Sequence, residues 1–105
     1  MNTQYSDVRI DTLMSLLHTG ADNALSRETL AAAMDMPDRT VRKLVEKARD
    51  EGCFILNNQN GRGYYLPETM DDVYRQYKQD TSRAMSILKR RKHMRRALKE
   101  VGFKV

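Results

Sequence analysis

Residues 25–66 read LSRETLAAAMDMPDRTVRKLVEKARDEGCFILNNQNGRGYYL, and the punctuation of this stretch decides the architecture. Ser26 can accept a hydrogen bond from an orphan N–H at a helix start, and Glu28 falls in the first turn, where a negative charge meets the positive end of the helix dipole. Leu30-Ala31-Ala32-Ala33-Met34 continues that helix, and three successive alanines let a neighbouring helix approach closely. Met36-Pro37-Asp38 interrupts it, because a proline disfavours helical geometry in the residue before it. A further helix, capped by Asp38, is expected from Arg39 to about Glu51, with Gly52 ending it. Its apolar positions Val41, Leu44, Val45 and Ala48 recur at three- and four-residue steps and so share one side. Arg39, Thr40, Arg42, Lys43, Glu46, Lys47 and Arg49 are left to the other sides. Beyond Gly52 the period changes. Cys53-Phe54-Ile55-Leu56 and Tyr64-Tyr65-Leu66 are short β-favouring runs around the polar stretch 57–63, which predicts a hairpin with a seven-residue loop. Neighbouring strand residues face opposite ways, so one of Tyr64 and Tyr65 belongs to the core, and Cys53 reads as packing rather than as a nucleophile.

Upstream, Val8, Ile10, Leu13, Met14, Leu16 and Leu17 lie largely along one helical stripe that Ser6 can cap and Gly20 can end. Downstream, Pro67 closes the hairpin, and residues 68–100 contain neither proline nor glycine. Unbroken, they would form a helix of about 50 Å. Asp80-Thr81-Ser82, three poor interior formers, could divide it in two. The expected architecture is mainly α with a small β-hairpin: a domain over residues 1–67, then a basic helical extension over 68–105 of one long helix or two. No internal repeat or low-complexity segment interrupts it.

A chain of 105 residues, 40% hydrophobic and 31% charged, suits one small domain with a thin core. It contains no apolar run long enough to span a bilayer, so no membrane association is expected. Cys53, the single cysteine, excludes an internal disulfide framework and a multi-cysteine zinc site, and fits a reducing compartment. With no basic-then-apolar leader before Ser6, a cytoplasmic location is expected. His18 and His93 are far apart and lack ligand-spaced partners, so no metal is expected. No nucleophile and base can be assembled from local motifs, so the chain is not read as an enzyme, and neither a cofactor nor a small-molecule ligand is expected.

Net charge is +5, but the halves differ: residues 1–52 hold 7 basic and 9 acidic side chains, and residues 53–105 hold 12 and 5. Nine basic residues between Arg83 and Lys104 face Glu100 alone. A basic tail on a nearly neutral front favours an acidic partner.

Three short helices followed by a hairpin, with the capped alanine-rich helix, the turn through Asp35-Met36-Pro37-Asp38 and the helix opening Arg39-Thr40-Val41-Arg42-Lys43-Leu44, resemble the winged helix-turn-helix family of transcription regulators, of which the biotin operon repressor's DNA-binding domain is an example. The resemblance covers residues 25–66. It implies that the third helix enters the major groove while the hairpin wing touches backbone or minor groove. Arg39, Thr40, Arg42 and Lys43 would then face base edges or phosphates, and Lys47, a turn further on, the backbone. Asp38 would satisfy the cap but repel phosphate, which gives it a structural part. In the wing, Arg62 resembles the family's basic tip residue, and Asn60 could add a hydrogen bond. Gly61-Arg62-Gly63 is not a phosphate loop, since no Lys-Ser/Thr follows and no βαβ unit surrounds it.

The tail departs from a minimal domain of this kind. Met70, Tyr77, Ala84, Arg91 and Leu98 stand seven apart, and Val73, Asp80, Ile87, Met94 and Val101 follow each by three. Apart from Asp80 and Arg91 this is an apolar heptad seam, with Val73, Tyr77, Ala84, Ile87, Met94 and Leu98 as dimerisation positions. A helix folded back on its own domain would use the same stripe. Lys89, Lys92, Arg95, Arg96 and Lys99 share a face opposite it and can meet phosphates. Tyr-Tyr-Leu-Pro followed by a helical stretch containing RAMSIL also resembles the post-wing tail of small phage or prophage helix-turn-helix proteins. The expected function is sequence-specific binding of double-stranded DNA as a homodimer, on half-sites about one DNA turn or a multiple of it apart. A phage replication or packaging adaptor, using the same fold as a scaffold for protein contacts, is the alternative.

Overall fold

The computed structural model describes residues 7–58 and 63–105. The chain is mainly helical, with a two-stranded antiparallel hairpin and a long C-terminal helix. It divides into two compact units, Met1–Val73 and Tyr74–Val105.

In the first unit, α1 (Val8–Leu16), α2 (Arg27–Met34) and α3 (Asp38–Asp50) pack around one core, with a single 3₁₀ turn, Ala21–Asn23, between the first two. Ile10 and Leu13 of α1, Leu17 just beyond it, Leu30 of α2, and Val41, Leu44, Val45 and Ala48 of α3 are buried together with Cys53 and Ile55. Val8 is exposed, so the apolar stripe of α1 begins at Ile10. Of the three alanines only Ala31 packs against the core.

Each boundary has a local cause. Asp7, not Ser6, is the cap of α1: its carboxylate accepts from the Arg9 N–H at 2.9 Å. Ser6 lies outside the described residues. Ser26 caps α2 as expected, accepting from the Thr29 N–H at 3.1 Å. At the other end of α2, Asp35 takes a left-handed conformation (φ 51°), and the Met36 N–H returns to the Ala31 carbonyl at 3.1 Å, which turns the chain sharply into α3. The expected Asp38 cap is corrected. Pro37 is the cap residue, and its carbonyl accepts from Thr40 and Val41. Asp38 is already helical, and its carboxylate turns instead to Arg27 at 3.2 Å. Gly52, at φ 97°, closes α3 as its spacing suggested, with the Cys53 N–H bonded to the Ala48 carbonyl.

The hairpin is shorter than its β-favouring runs: β1 is Leu56–Asn57 and β2 is Tyr64–Tyr65, with Leu56 opposite Tyr65. Residues 53–55 are not strand, because the Ile55 carbonyl is taken by the Arg49 guanidinium at 2.8 Å and the Ile55 N–H bonds locally to Cys53. On its other side β2 meets the segment between α1 and α2. Leu25 and Tyr64 exchange both backbone hydrogen bonds, at 2.8 and 2.9 Å, while Gly20 donates to Leu66 and Leu66 to His18. Single bridging residues thus extend the ladder and tie the hairpin to the helices. Tyr65 is buried and Tyr64 half-buried, the division that alternation requires.

Gly63 sits where this ladder is tightest: a Cβ there would lie 2.8 Å from the Ala24 Cβ and 3.4 Å from the Leu25 carbonyl oxygen. Gly63→Ala is therefore expected to destabilise the first unit by about 1–3 kcal/mol, read as a lowered thermal midpoint. An unchanged midpoint would contradict the close approach.

The remaining helix, α4 (Met70–Glu100), begins where Asp72 reaches back to the N–H groups of Glu68 and Thr69. It is continuous, so the division at Asp80-Thr81-Ser82 does not occur. Asp80 accepts from the Gln76 amide and Thr81 donates to the Tyr77 carbonyl, which directs their polar groups along the helix rather than into a new cap. The second unit contains α4 from Tyr74 onward, and beyond Glu100 the helix is closed by Gly102 (φ 94°), with the Phe103 N–H returning to Leu98. Among the described residues no helix is long and apolar enough to cross a membrane.

Candidate functional site

The outward side of α3 is the most sharply divided surface of the first unit. Val41, Leu44, Val45 and Ala48 anchor one side in the core. At 100° per residue, Arg39, Lys43, Glu46 and Asp50 project from the opposite side, Arg42 and Arg49 along one flank, and Thr40 and Lys47 along the other. Arg39, Arg42, Lys43, Glu46, Lys47 and Asp50 are exposed, and Thr40 and Arg49 are half-buried.

Both flanks are fixed to neighbouring elements. On one, Arg49 donates through Nε to the Ile55 carbonyl at 2.8 Å and through Nη2 to Asn57 Oδ1 at 3.1 Å, with its guanidinium 5.7 Å from the Tyr64 ring centre. The clamp holds the hairpin against the C-terminal part of α3. On the other, Lys47 Nζ approaches the Asp7 carboxylate at 3.5 Å, so the charge assigned to a DNA backbone contact is partly engaged at the start of α1. Asp7 also accepts from Arg9 Nη2 at 2.7 Å. The Arg9 side chain and N–H, then the positive charges of Arg9 and Lys47, hold the Asp7 carboxyl well below the usual carboxylate range.

A depressed folded-state pKa contributes stability that is present above the unfolded value, about 3.9, and disappears as pH falls through the folded one. Asp7→Asn keeps a capping oxygen and removes the charge. The stability difference between wild type and Asp7→Asn is expected to hold from neutral pH to about pH 5 and to shrink below about pH 4, measured by urea unfolding across that range. A difference independent of pH would contradict the ion pairing.

Charge divides along α3 as well as around it. In its first turns Asp38 is paired with Arg27. Arg39, Arg42 and Lys43 have no acidic side chain within ion-pair distance among the described residues. Glu46 and Asp50 occupy the same outward side one and two turns beyond Lys43. The open end of α3 is therefore cationic, and its far end is mixed.

The hairpin residues Asn60 and Arg62 lie outside the described residues. Gly63, next to them, is packed against the chain's own residues 24 and 25.

In the second unit Lys89, Lys92, Arg95, Arg96 and Lys99 are all exposed. Lys92, Arg95, Arg96 and Lys99 line one surface of α4 with Glu100. Arg95 Nη2 also donates to the Val105 carbonyl at 3.3 Å. Arg91 and Arg95, Lys92 and Arg96, and Arg95 and Lys99 are like charges four apart, each opposing the helix by about 0.2–0.5 kcal/mol unless an anion screens them. Of the seam residues, Tyr77, Ala84, Ile87 and Met94 are exposed, and Val73 and Leu98 are half-buried.

Sequence reasoning placed the outward residues of α3 and missed the two groups that hold the helix, Arg49 and Asp7. Arg49 stands four residues after the inward Val45, at the edge of the apolar side, the one local sign of its bridging position. Among the described residues no three His, Cys, Asp or Glu side chains are grouped to hold a metal ion. Comparison of the chain with models of protein families, with curated proteins and with solved structures finds no match.

Proposed function

We propose that the chain is a noncatalytic, sequence-specific double-stranded DNA-binding protein of the winged helix-turn-helix type, acting as a transcription regulator. The observation that carries this reading is the outward face of α3. Arg39, Arg42 and Lys43 are exposed without acidic partners among the described residues, on a helix anchored through Val41, Leu44, Val45 and Ala48. From Arg39 to Lys47 is about 12 Å of helix, comparable with the width of the major groove. Arg39, Arg42 and Lys43 would offer donors to guanine edges or phosphates, with Thr40 and Lys47 toward the backbone. The antiparallel β1–β2 pair, clamped by Arg49, matches a wing in kind, and Asn60 and Arg62 would be its contacting residues. Lys89, Lys92, Arg95, Arg96 and Lys99 would add affinity through phosphates without reading sequence.

Selection from a pool of random duplexes at low ionic strength tests the proposal. A recurrent enriched sequence is expected, bound with an affinity that falls steeply as salt rises. Retention of no duplex above background would overturn the reading and favour the use of the same α3 face for protein contacts in a replication or packaging adaptor.

A further inference from the structure

Two charged residues interrupt the apolar seam of α4, and they do so symmetrically. Asp80 and Arg91 stand equally far from the midpoint between Met85 and Ser86. We propose that α4 pairs with the α4 of a second copy as an antiparallel coiled coil, in the single register that places Asp80 of each copy opposite Arg91 of the other. In that register Met70 meets Val101, Val73 meets Leu98, Tyr77 meets Met94 and Ala84 meets Ile87, each layer occurring twice by symmetry. Every seam position then has a partner of its own kind: apolar with apolar, anion with cation.

The seam is available for such pairing. Met70 is 70% exposed, Tyr77 64%, Met94 59% and Val101 72%, an uncovered apolar stripe that a second copy would remove from water. Charge decides both orientation and register. A parallel pair would set Asp80 beside Asp80 and Arg91 beside Arg91 within the seam. It would also align the cationic halves, since residues 85–101 hold seven basic side chains and one acidic, whereas residues 70–84 hold three of each. The antiparallel pair lays each cationic half along a neutral one. Sliding it by one heptad would put Asp80 opposite Ala84 or Leu98 and Arg91 opposite Val73 or Ile87, leaving charges without partners in apolar layers. The favoured register brings Arg83 near Arg90 of the second copy. That approach is at the flank, where solvent screens it, and is weaker than the like-charge contacts of the parallel pair.

The pairing goes beyond DNA binding and is tested without DNA. In a Cys53→Ser background, a spin label is attached at Glu100→Cys, a position outside the seam. Pulsed electron spin resonance of the full chain is expected to give a separation of roughly 45 Å, the distance along the axis from residue 100 to its counterpart. A parallel pair would hold the labels within about 20 Å, two helix diameters. Separately, Asp80→Arg and Arg91→Asp should each weaken dimerisation by roughly tenfold or more in sedimentation equilibrium, because each creates two like-charge contacts. The double variant should recover affinity to within about threefold of wild type, the ordinary scatter of such contributions. Circular dichroism verifies that every variant retains its helix. A monomer at hundred-micromolar concentration, a short label separation, or a helical double variant no tighter than the singles would overturn the proposal.

Discussion

Arg42→Ala is expected to weaken binding to an enriched duplex by about 1–3 kcal/mol, roughly 5- to 150-fold, while binding to random duplex changes far less. The asymmetry follows from the position of Arg42. It stands on the outward part of α3 toward the hairpin, exposed, without an acidic partner among the described residues, one turn before the acidic Glu46. A guanidinium there can present two donors to the O6 and N7 atoms of a guanine, and the discrimination is lost with the fork. Lys92→Ala, on the exposed surface of α4, provides the contrast. It should weaken both duplexes alike and reduce the slope of log affinity against log salt by about 0.9, the signature of one lost phosphate contact. Equal losses on both duplexes for Arg42→Ala would make Arg42 a backbone contact, and no loss on either would remove it from the interface. Competition titrations at fixed salt measure both.

The largest stability effect outside the apolar core is expected at Arg49. Its guanidinium is the donor to the carbonyl of buried Ile55, bonds Asn57 and lies over Tyr64. Alanine would leave the Ile55 carbonyl without that donor, a cost of about 1–3 kcal/mol, and remove a cation–π contact of about 0.5–1 kcal/mol. Arg49→Ala should therefore cost about 2–4 kcal/mol, a large part of the stability of a small domain. Arg49→Lys should recover only part of it, because an ammonium keeps the charge but not the planar fork. Urea unfolding measures the total. Hydrogen exchange locates it, since the Asn58 N–H bonds the Gly63 carbonyl across the hairpin and should lose protection before the amides of α1. A midpoint within about 0.5 kcal/mol of wild type, the ordinary range of surface substitutions, would show that the clamp carries no weight.

These two residues mark what could and could not be read before the coordinates. Arg42 was legible because the period of α3 is unambiguous: four apolar positions determine which way every other side chain points. The Ser26 cap and the end of α3 at Gly52 were legible for the similar reason that each rests on a few neighbouring backbone groups. Arg49 lies on that same helix, yet its partners arrive through a hairpin return that no helical period encodes. The bridge from Leu25 to Tyr64 was hidden because a strand of one residue has no alternation. Asp38 has the residue type of a cap but is an ion-pair partner of Arg27, since Pro37 supplies the carbonyl that starts the helix. The runs around the hairpin promised longer strands than form, because β propensity is blind to the guanidinium that takes the Ile55 carbonyl. At α4, poor helix formers suggested a break, whereas their side chains bond within the helix and leave it whole. Of the candidate site, the open cationic face of α3 and the basic surface of α4 both stand where helical spacing puts them.

That face and that surface make different demands on a DNA complex, which gives the account its most direct measurement. Amide resonances of the full chain are followed by nuclear magnetic resonance as an enriched duplex is added. The largest shifts and broadening are predicted in residues 38–47 of α3, with smaller, salt-sensitive changes at Lys89, Lys92, Arg95, Arg96 and Lys99. Perturbation confined to the basic residues of α4, with α3 unaffected, would contradict the assignment of sequence reading to α3.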